Sequence, residues 1–161
     1  MTWLPTWLRE GRHVSATEAA TLSMLPLLLG GVGSLAAGYA AARIPRRAIA
    51  FLGFACSGLL LFAVTRIEST PVAMLAMGLA SFCSDLTMPI SWNACVEIGR
   101  RNTATISGAM NMFGNFAGFV APVVGGTILA RSPDNWNLLI YLMVGASFLA
   151  AICWIFLEER T

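Results

Sequence analysis

Five polar side chains lie in very apolar stretches of the sequence, where they could contact a small molecule. Asp85, Ser91 and Trp92 lie within about two helical turns, and Asn111 and Asn115 are four residues apart, so that the asparagines share a helix face. Because a carboxylate in hydrocarbon costs about 2.5–3.5 kcal/mol on insertion scales, Asp85 should face protein or water. It could hydrogen-bond a substrate or carry a proton. The indole offers an apolar surface with one donor and the carboxamides offer donors and acceptors, which suits a hydroxylated organic substrate bound without covalent chemistry.

Each of these residues also has a purely structural interpretation. Asp85 could be a buried aspartate satisfied by Ser81, by Ser84 or by a neighbouring helix. Trp92 could belong to the aromatic belt at the membrane surface. The asparagines could form hydrogen bonds between helices. The residue types leave both interpretations open.

Other kinds of site lack their residues in this sequence. The four cysteines contain no Cys-x-x-Cys pair and the single histidine, His13, stands in a polar stretch, so we expect no metal and no cofactor. We find no Ser/His/Asp group, phosphate loop or paired carboxylates, and we therefore expect no catalytic residues and no enzyme. Ten arginines against eight acids give a net charge of +2, which does not favour binding to nucleic acid.

The composition predicts that membrane helices position the polar side chains. Of the 161 residues, 57% are hydrophobic and 11% are charged, whereas soluble domains have about 25% charged residues. A helix needs roughly 20 apolar residues to cross a bilayer. We therefore expect an all-α, polytopic membrane protein in a lipid bilayer, with residues 1–161 forming a single partial domain. The five predicted spans are 17–42, 48–65, 71–95, 104–130 and 138–157.

The connectors predict the order and orientation of these spans. They are short, so consecutive helices should be antiparallel neighbours. Ser15 and Glu18 form a capping-box pattern at the start of the first span. Six arginines lie on the side of the loops after the first, third and fifth spans, and four lie on the other side. Since cytoplasmic loops are richer in arginine, we place Arg43 and the C-terminus in the cytoplasm, with the chain in the inner membrane.

Small residues predict close packing between several spans. In membranes, helices approach one another where glycine, alanine or serine recurs every four residues. The three such sets are Gly30, Ser34 and Gly38, then Ala76, Ala80 and Ser84, then Gly114 and Gly118. Pro26 and Pro122 interrupt the first and fourth spans near glycines, which is typical of corresponding helices in the two repeats of a transporter.

The two ends of the predicted bundle carry further signals. Residues 1–12 indicate the interfacial end of a helix whose body is absent, or alternatively an interfacial turn, because Trp3 and Trp7 stand among apolar residues. At the predicted cytoplasmic side, charged residues could form a network that closes this side in one conformation, although surface ion pairs contribute less than about 1 kcal/mol. Alternatively, they only fix the orientation of the chain. The predicted network consists of Arg43, Arg47, Glu97 and Arg100.

Three stretches resemble a known family. Residues 38–47, Gly-Tyr-Ala-Ala-Ala-Arg-Ile-Pro-Arg-Arg, resemble a degenerate copy of the loop signature of the major facilitator superfamily, with Ala42 in place of an acid and Pro45 in place of a glycine. The motifs from Asp85 to Gly126 are similar to the tenth and eleventh helices of its anion:cation symporter branch, and residues 3–8 resemble the end of the seventh. The resemblance covers the whole chain but only the C-terminal half of such a transporter.

The resemblance implies a function and a site. That branch transports organic anions such as hexuronates, galactonate, glucarate and sialic acid. The resemblance therefore implies alternating-access transport of a small sugar-acid anion, coupled to protons, together with an N-terminal half as partner. By position, Trp92 and Asn111 match cavity residues of the branch, Ser91 and Asn115 match less closely, and Asp85 matches an acid of some members. Glu97 and Arg43 match its charge network, but Ala42 removes the local partner of Arg43. The alternative is a membrane interaction protein without transport activity, or an inactive transporter fragment.

Overall fold

The computed structural model describes residues 3–132 and 135–157, and this part of the chain is helical without strands. The predicted all-α fold class is confirmed. Residues 1–2 of the predicted N-terminal helix end, and residues 158–161 of the C-terminus that we placed in the cytoplasm, lie outside the described residues. The elements are α1 (Leu4–Thr6), a π-helical turn (Trp7–Gly11), α2 (Ala16–Ala41), α3 (Arg46–Val64), α4 (Thr70–Asp85), α5 (Thr87–Gly99), a 3-10 turn (Arg100–Asn102), α6 (Thr103–Arg131) and α7 (Trp136–Ile155).

The long helices have the length and hydropathy of membrane spans. Four stretches qualify, namely α2, α3, α7 and the 62-residue stretch Thr70–Arg131. This last stretch folds back on itself, because Cys95 Sγ on α5 lies 3.3 Å from Met110 Sδ on α6. Fifteen residues of straight helix would separate those atoms by about 22 Å. The reversal is at the 3-10 turn, where Arg100 has a φ of 45°.

Helix ends follow local sequence signals. The Ser15 side chain accepts a hydrogen bond from the Glu18 amide while the Glu18 carboxylate accepts one from the Ser15 amide, which confirms the predicted capping box. Pro71 occupies the first turn of α4, where its missing N–H has no intrahelical acceptor to lose. At the other end of α4, the predicted third span is not one helix. It is divided at Leu86 into α4 and α5, three residues before Pro89.

Helix α4 lies at the centre of the bundle. It packs between α2 and α3, α3 also packs against α7, and α6 contacts mainly α5. Val64, Ala73 and Met74 are completely buried in the core between these helices, together with Leu8 of the N-terminal turn. In contrast, α6 buries only Gly125 among the residues that the structure describes for it.

The small-residue prediction is correct for α4, correct in part for α2 and wrong for α6. Gly30 of α2 contacts α4 closely, but a Cβ at Gly38 of the same helix would meet no atom within 4 Å. Ala76 and Ala80 of α4 are buried in the core. A Cβ at Gly114 or Gly118 of α6 would meet no atom within 4 Å. This pair therefore has no packing partner in the described part of the chain.

Candidate functional site

Asp85 occupies the last position of α4, at the break in the helix. Pro89 lacks the N–H that would donate to the Asp85 carbonyl in a continuous helix, and its ring would clash with that oxygen. The hydroxyl of Ser34, on α2, donates to this carbonyl at 3.3 Å. The carboxylate of Asp85 is half-buried and lies against Gly30 of α2, which has no side chain to displace it.

A cavity of about 430 Å³ adjoins Asp85 and is enclosed by α3, α4, α7 and the N-terminal turn. Its polar lining consists of the Asp85 carboxylate and serines from three helices. Its other walls are aliphatic side chains and the three tryptophans Trp3, Trp7 and Trp136. The serines are Ser57 of α3, Ser81 and Ser84 of α4, and Ser147 of α7.

The chemistry of this cavity is that of a hydrogen-bonding pocket without positive charge. Its volume falls in the usual range for small-molecule sites, about 300–1,000 Å³. Hydroxyls both donate and accept, but the lining includes an acid and no arginine. An anion would therefore be repelled from the ionised Asp85, and a proton or a neutral polar group would be the better partner for this carboxylate.

The other predicted substrate-binding residues lie away from this cavity. Trp92 of α5 is 37% exposed, and Asn111 and Asn115 lie on exposed positions of α6. The side-chain amide of Asn115 donates to the Asn111 backbone carbonyl at 2.8 Å. Ser91 donates to the Thr87 carbonyl at 3.0 Å.

Ser91 also lines a second, smaller cavity. This cavity has about 270 Å³ and lies among α5, α6 and the end of α7. Its lining is mostly apolar, with Cys95, Met110 and Trp154 among its residues. Of the five predicted residues, Asp85 therefore lines the larger cavity and Ser91 lines the smaller one. The other three, Trp92, Asn111 and Asn115, lie on an exposed surface.

At the predicted cytoplasmic ends of the helices, one ion pair joins two elements. Arg46 Nη2, at the start of α3, lies 2.6 Å from Glu97 Oε2, near the end of α5. Arg43, in the turn after α2, instead packs on the end of that helix, with its guanidinium 3.7 Å from the Tyr39 ring centroid. Arg47 lines a shallow cavity beside Phe51, and Arg100 is exposed.

Sequence reasoning singled out Asp85 but missed several residues around it. Ser57 and Ser147 are isolated serines within apolar helices, and polar groups in that setting are usually bonded or line a cavity. Their position within apolar stretches was therefore a sequence signal that could have identified both serines. The pairing of Arg46 with Glu97 depends on how α3 and α5 cross, so their charges alone did not identify it among several arginines.

Comparisons with known proteins agree with the predicted family. The profile of the Major Facilitator Superfamily matches residues 1–161. The chain is 30% identical over 141 residues to a probable sulfoacetate transporter of Cupriavidus necator, which covers 82% of this chain and 33% of that protein. It is 24% identical over 170 residues to a probable L-galactonate transporter of Escherichia coli, with 99% and 37% covered.

A third relative extends the same pattern. The chain is 27% identical over 164 residues to a probable galactarate/D-glucarate transporter of Bacillus subtilis, and this match covers 94% of the chain and 35% of that protein. The chain thus spans about a third of the length of these curated relatives. The predicted family is confirmed: this multi-pass membrane protein belongs to the Major Facilitator Superfamily.

Proposed function

We propose that this chain forms one half of a secondary transporter for a small organic anion of the sugar-acid class. It works by alternating access together with a second helical bundle that supplies the other wall of the substrate site, and protons are the coupling ion. The names of the three relatives, which specify sulfoacetate, galactonate and galactarate/glucarate, support an organic anion as substrate.

The observation that carries this proposal is the uncovered surface of α5 and α6, on which polar side chains stand among apolar ones. Asn111, Asn115 and Trp92 are exposed, and α6 buries only Gly125 although it is 29 residues long. A carboxamide directed at lipid tails would lose hydrogen bonds that water or protein supplies. This surface is therefore better suited to a water-filled cavity or a second bundle than to lipid.

The roles of the site residues follow from their chemistry. Trp92 stacks on the apolar face of the substrate, Asn111 hydrogen-bonds its hydroxyl or carboxylate groups, and Ser91 and Asn115 contribute less, because both already donate to backbone carbonyls. None of these four residues carries a positive charge, so the second bundle supplies the cation that binds the anion. Asp85 carries a proton during the cycle.

The charge network closes the cytoplasmic side in one conformation. The pair of Arg46 with Glu97 holds α3 to α5, and Arg43, Arg47 and Arg100 extend the positive surface beside it. This side, with the C-terminus, faces the cytoplasm of a cell whose inner membrane holds the chain. Opening of that side separates Arg46 from Glu97.

The test of the site uses the chain joined to an N-terminal half in membrane vesicles. We expect Trp92→Ala and Asn111→Ala each to raise the apparent KM for a labelled sugar acid or sulfoacetate about five- to thirtyfold, because each removes a contact worth about 1–2 kcal/mol. Leu142→Ala on α7, exposed but outside both cavities, is the control. Unchanged KM and rate in both site variants would refute this assignment.

A separate test addresses the alternative of an inactive fragment or an interaction protein. The DNA upstream of Met1 is read for a frame that encodes the N-terminal half, and vesicles containing only the 161-residue chain are assayed for uptake. Absence of such a frame, together with absence of uptake of any labelled organic anion, would exclude transport for this polypeptide. Uptake that requires the second half would support the proposal.

A further inference from the structure

The face of α2 toward α4 is shaped to fit the end of α4. Gly30, Gly33 and Ser34 share this face because they are spaced by three and four residues. A Cβ at Gly30 would collide with the Asp85 carboxylate, and a Cβ at Gly33 would collide with the backbone carbonyl of Phe82. Two glycines therefore bring the backbone of α2 against the last turn of α4, and Ser34 is the next residue of that face.

The opposite side of the break is enclosed by α3. A Cβ at Gly53 would lie 2.7 Å from the Cys83 carbonyl oxygen and 2.6 Å from a methyl carbon of Thr87. Thr87, the first residue of α5, donates from its hydroxyl to the Ser84 carbonyl at 2.7 Å. The break is thus enclosed on two sides, and a side-chain hydroxyl reinforces the hydrogen bonding of its backbone.

The Asp85 carbonyl is the acceptor that the helix itself leaves without its usual donor. Pro89 stands four residues later and has no N–H. In a membrane, a carbonyl freed in this way must be satisfied by another group, and serine or threonine hydroxyls commonly do so. Ser34 Oγ is at 3.3 Å and comes from a different helix, so this hydrogen bond ties α2 directly to the break.

We propose that Ser34 is a positioning residue that sets the bend between α4 and α5, by supplying the hydrogen bond that Pro89 withholds from Asp85. The bend fixes the direction of α5, which carries Ser91 and Trp92, relative to the Asp85 carboxylate. Loss of the Ser34 hydrogen bond leaves the Asp85 carbonyl without a donor and loosens the junction at Leu86. The role of this junction in substrate transport rests on the proposed function, whereas the dependence of the bend on Ser34 does not.

The experiment is a double-mutant cycle in the full 161-residue chain, purified in nanodiscs and followed by hydrogen exchange. The readout is the exchange rate of the amides of Leu86, Thr87, Met88 and Ile90. We expect Ser34→Ala to raise these rates about threefold, because interhelical hydrogen bonds in membranes average about 0.6 kcal/mol. In the Pro89→Ala background, where an alanine N–H can donate to the Asp85 carbonyl, Ser34→Ala should leave the rates unchanged.

A conservative variant separates positioning from packing. Ser34→Thr keeps the hydroxyl and should preserve native exchange rates, while Ser34→Ala has nearly the same size and should not. The assignment would be overturned if Ser34→Ala changed the exchange rates equally with and without Pro89, or if it changed them in neither background. Equal exchange rates in the alanine and threonine variants would also overturn it.

Uptake is measured separately, in the chain joined to an N-terminal half. We expect Ser34→Ala to change the turnover rate several-fold and to leave KM within about twofold, with Ser34→Thr restoring turnover, since Ser34 does not contact the proposed substrate face. Absence of uptake in every variant, including the native chain, counts against the proposed function only. The exchange cycle still decides whether Ser34 sets the bend.

Discussion

At the scale of single residues, the contact between Gly30 and Asp85 shows how a glycine admits a carboxylate to a helix interface. The Asp85 side chain occupies the space that a Cβ at position 30 would require. The adjacent Gly31 faces open space. A side chain therefore fits at position 31 of α2 but not at position 30. This difference provides a direct test of where the Asp85 carboxylate lies.

We expect Gly30→Ala to lower the free energy of unfolding by about 1–3 kcal/mol, the usual cost of overpacking an interface. Gly31→Ala, the matched control, should have little effect or stabilise α2 slightly, because alanine favours helix more than glycine does. Asp85→Ala should relieve the defect of Gly30→Ala, since it removes the atoms in the way. The stability of all these variants is measured as the midpoint of thermal unfolding in detergent. Equal midpoints for the Gly30 and Gly31 variants would contradict the contact between Gly30 and Asp85.

The residues of the site illustrate what a sequence can and cannot predict. Asp85 was identifiable because a carboxylate within an apolar stretch is costly and therefore unusual. Its neighbours Ser57 and Ser147 come from α3 and α7, and only tertiary packing brings them to one cavity. The contact of Trp92 with Asn111 through a substrate stays a prediction, because the wall opposite them is part of the proposed second bundle.

At the scale of elements, the composition predicted the helices well, and local chemistry explains where the prediction differed. Hydropathy averaged over a span does not register a single residue, so the stretch 71–95 was predicted as one helix. The missing N–H of Pro89 divides it at Leu86. The predicted packing of Gly114 and Gly118 was wrong because a small-residue pattern shows that close approach is allowed, not that a partner is present in the chain.

Arg12 connects the N-terminal turn to the end of α3 through contacts that no sequence pattern predicted. Its guanidinium donates to the carbonyls of Ile67 at 2.7 Å and Glu68 at 2.6 Å, just beyond the end of α3, and lies 5.0 Å from the Trp7 ring centroid. A planar guanidinium can reach several carbonyls at once and stack on an indole, whereas a lysine ammonium is a single compact charge. The geometry therefore requires arginine at this position.

We accordingly expect Arg12→Lys to loosen the N-terminal turn. Amides of residues 6–14 should exchange about tenfold faster, equivalent to about 1.4 kcal/mol, which is the scale of a hydrogen bond from a charged group. Arg9→Lys is the matched control, because Arg9 is exposed in the same turn. Unaltered exchange in the Arg12 variant would show that the apolar contacts of Trp7 and Leu8 hold the turn without the guanidinium.

At the scale of the whole molecule, the uneven burial of the helices indicates which surfaces meet lipid. Helices α2, α3, α4 and α7 share the core, whereas α6 stands at one side of the bundle. Beyond Asn137 in its first turn, the exposed surface of α7 is mainly apolar and includes Leu142 and Leu149. The exposed surface of α6 instead combines phenylalanines with Asn111 and Asn115. The two surfaces should therefore differ in their access to water when the transporter is complete.

Thiol labelling distinguishes these surfaces. In a background with the four native cysteines replaced by alanine and the chain joined to an N-terminal half, we expect Asn111→Cys and Asn115→Cys to react with a water-soluble maleimide, because both exposed positions border the proposed aqueous pathway. Leu142→Cys, at an exposed position of α7, should remain unlabelled because thiols surrounded by lipid tails rarely ionise. Excess substrate should slow the labelling of Asn111→Cys. It should leave the labelling rate of Arg101→Cys, in the exposed turn, unchanged. If the α6 cysteines were as unreactive as the one on α7, then α6 would face lipid, and the asparagines would require an explanation other than a transport pathway.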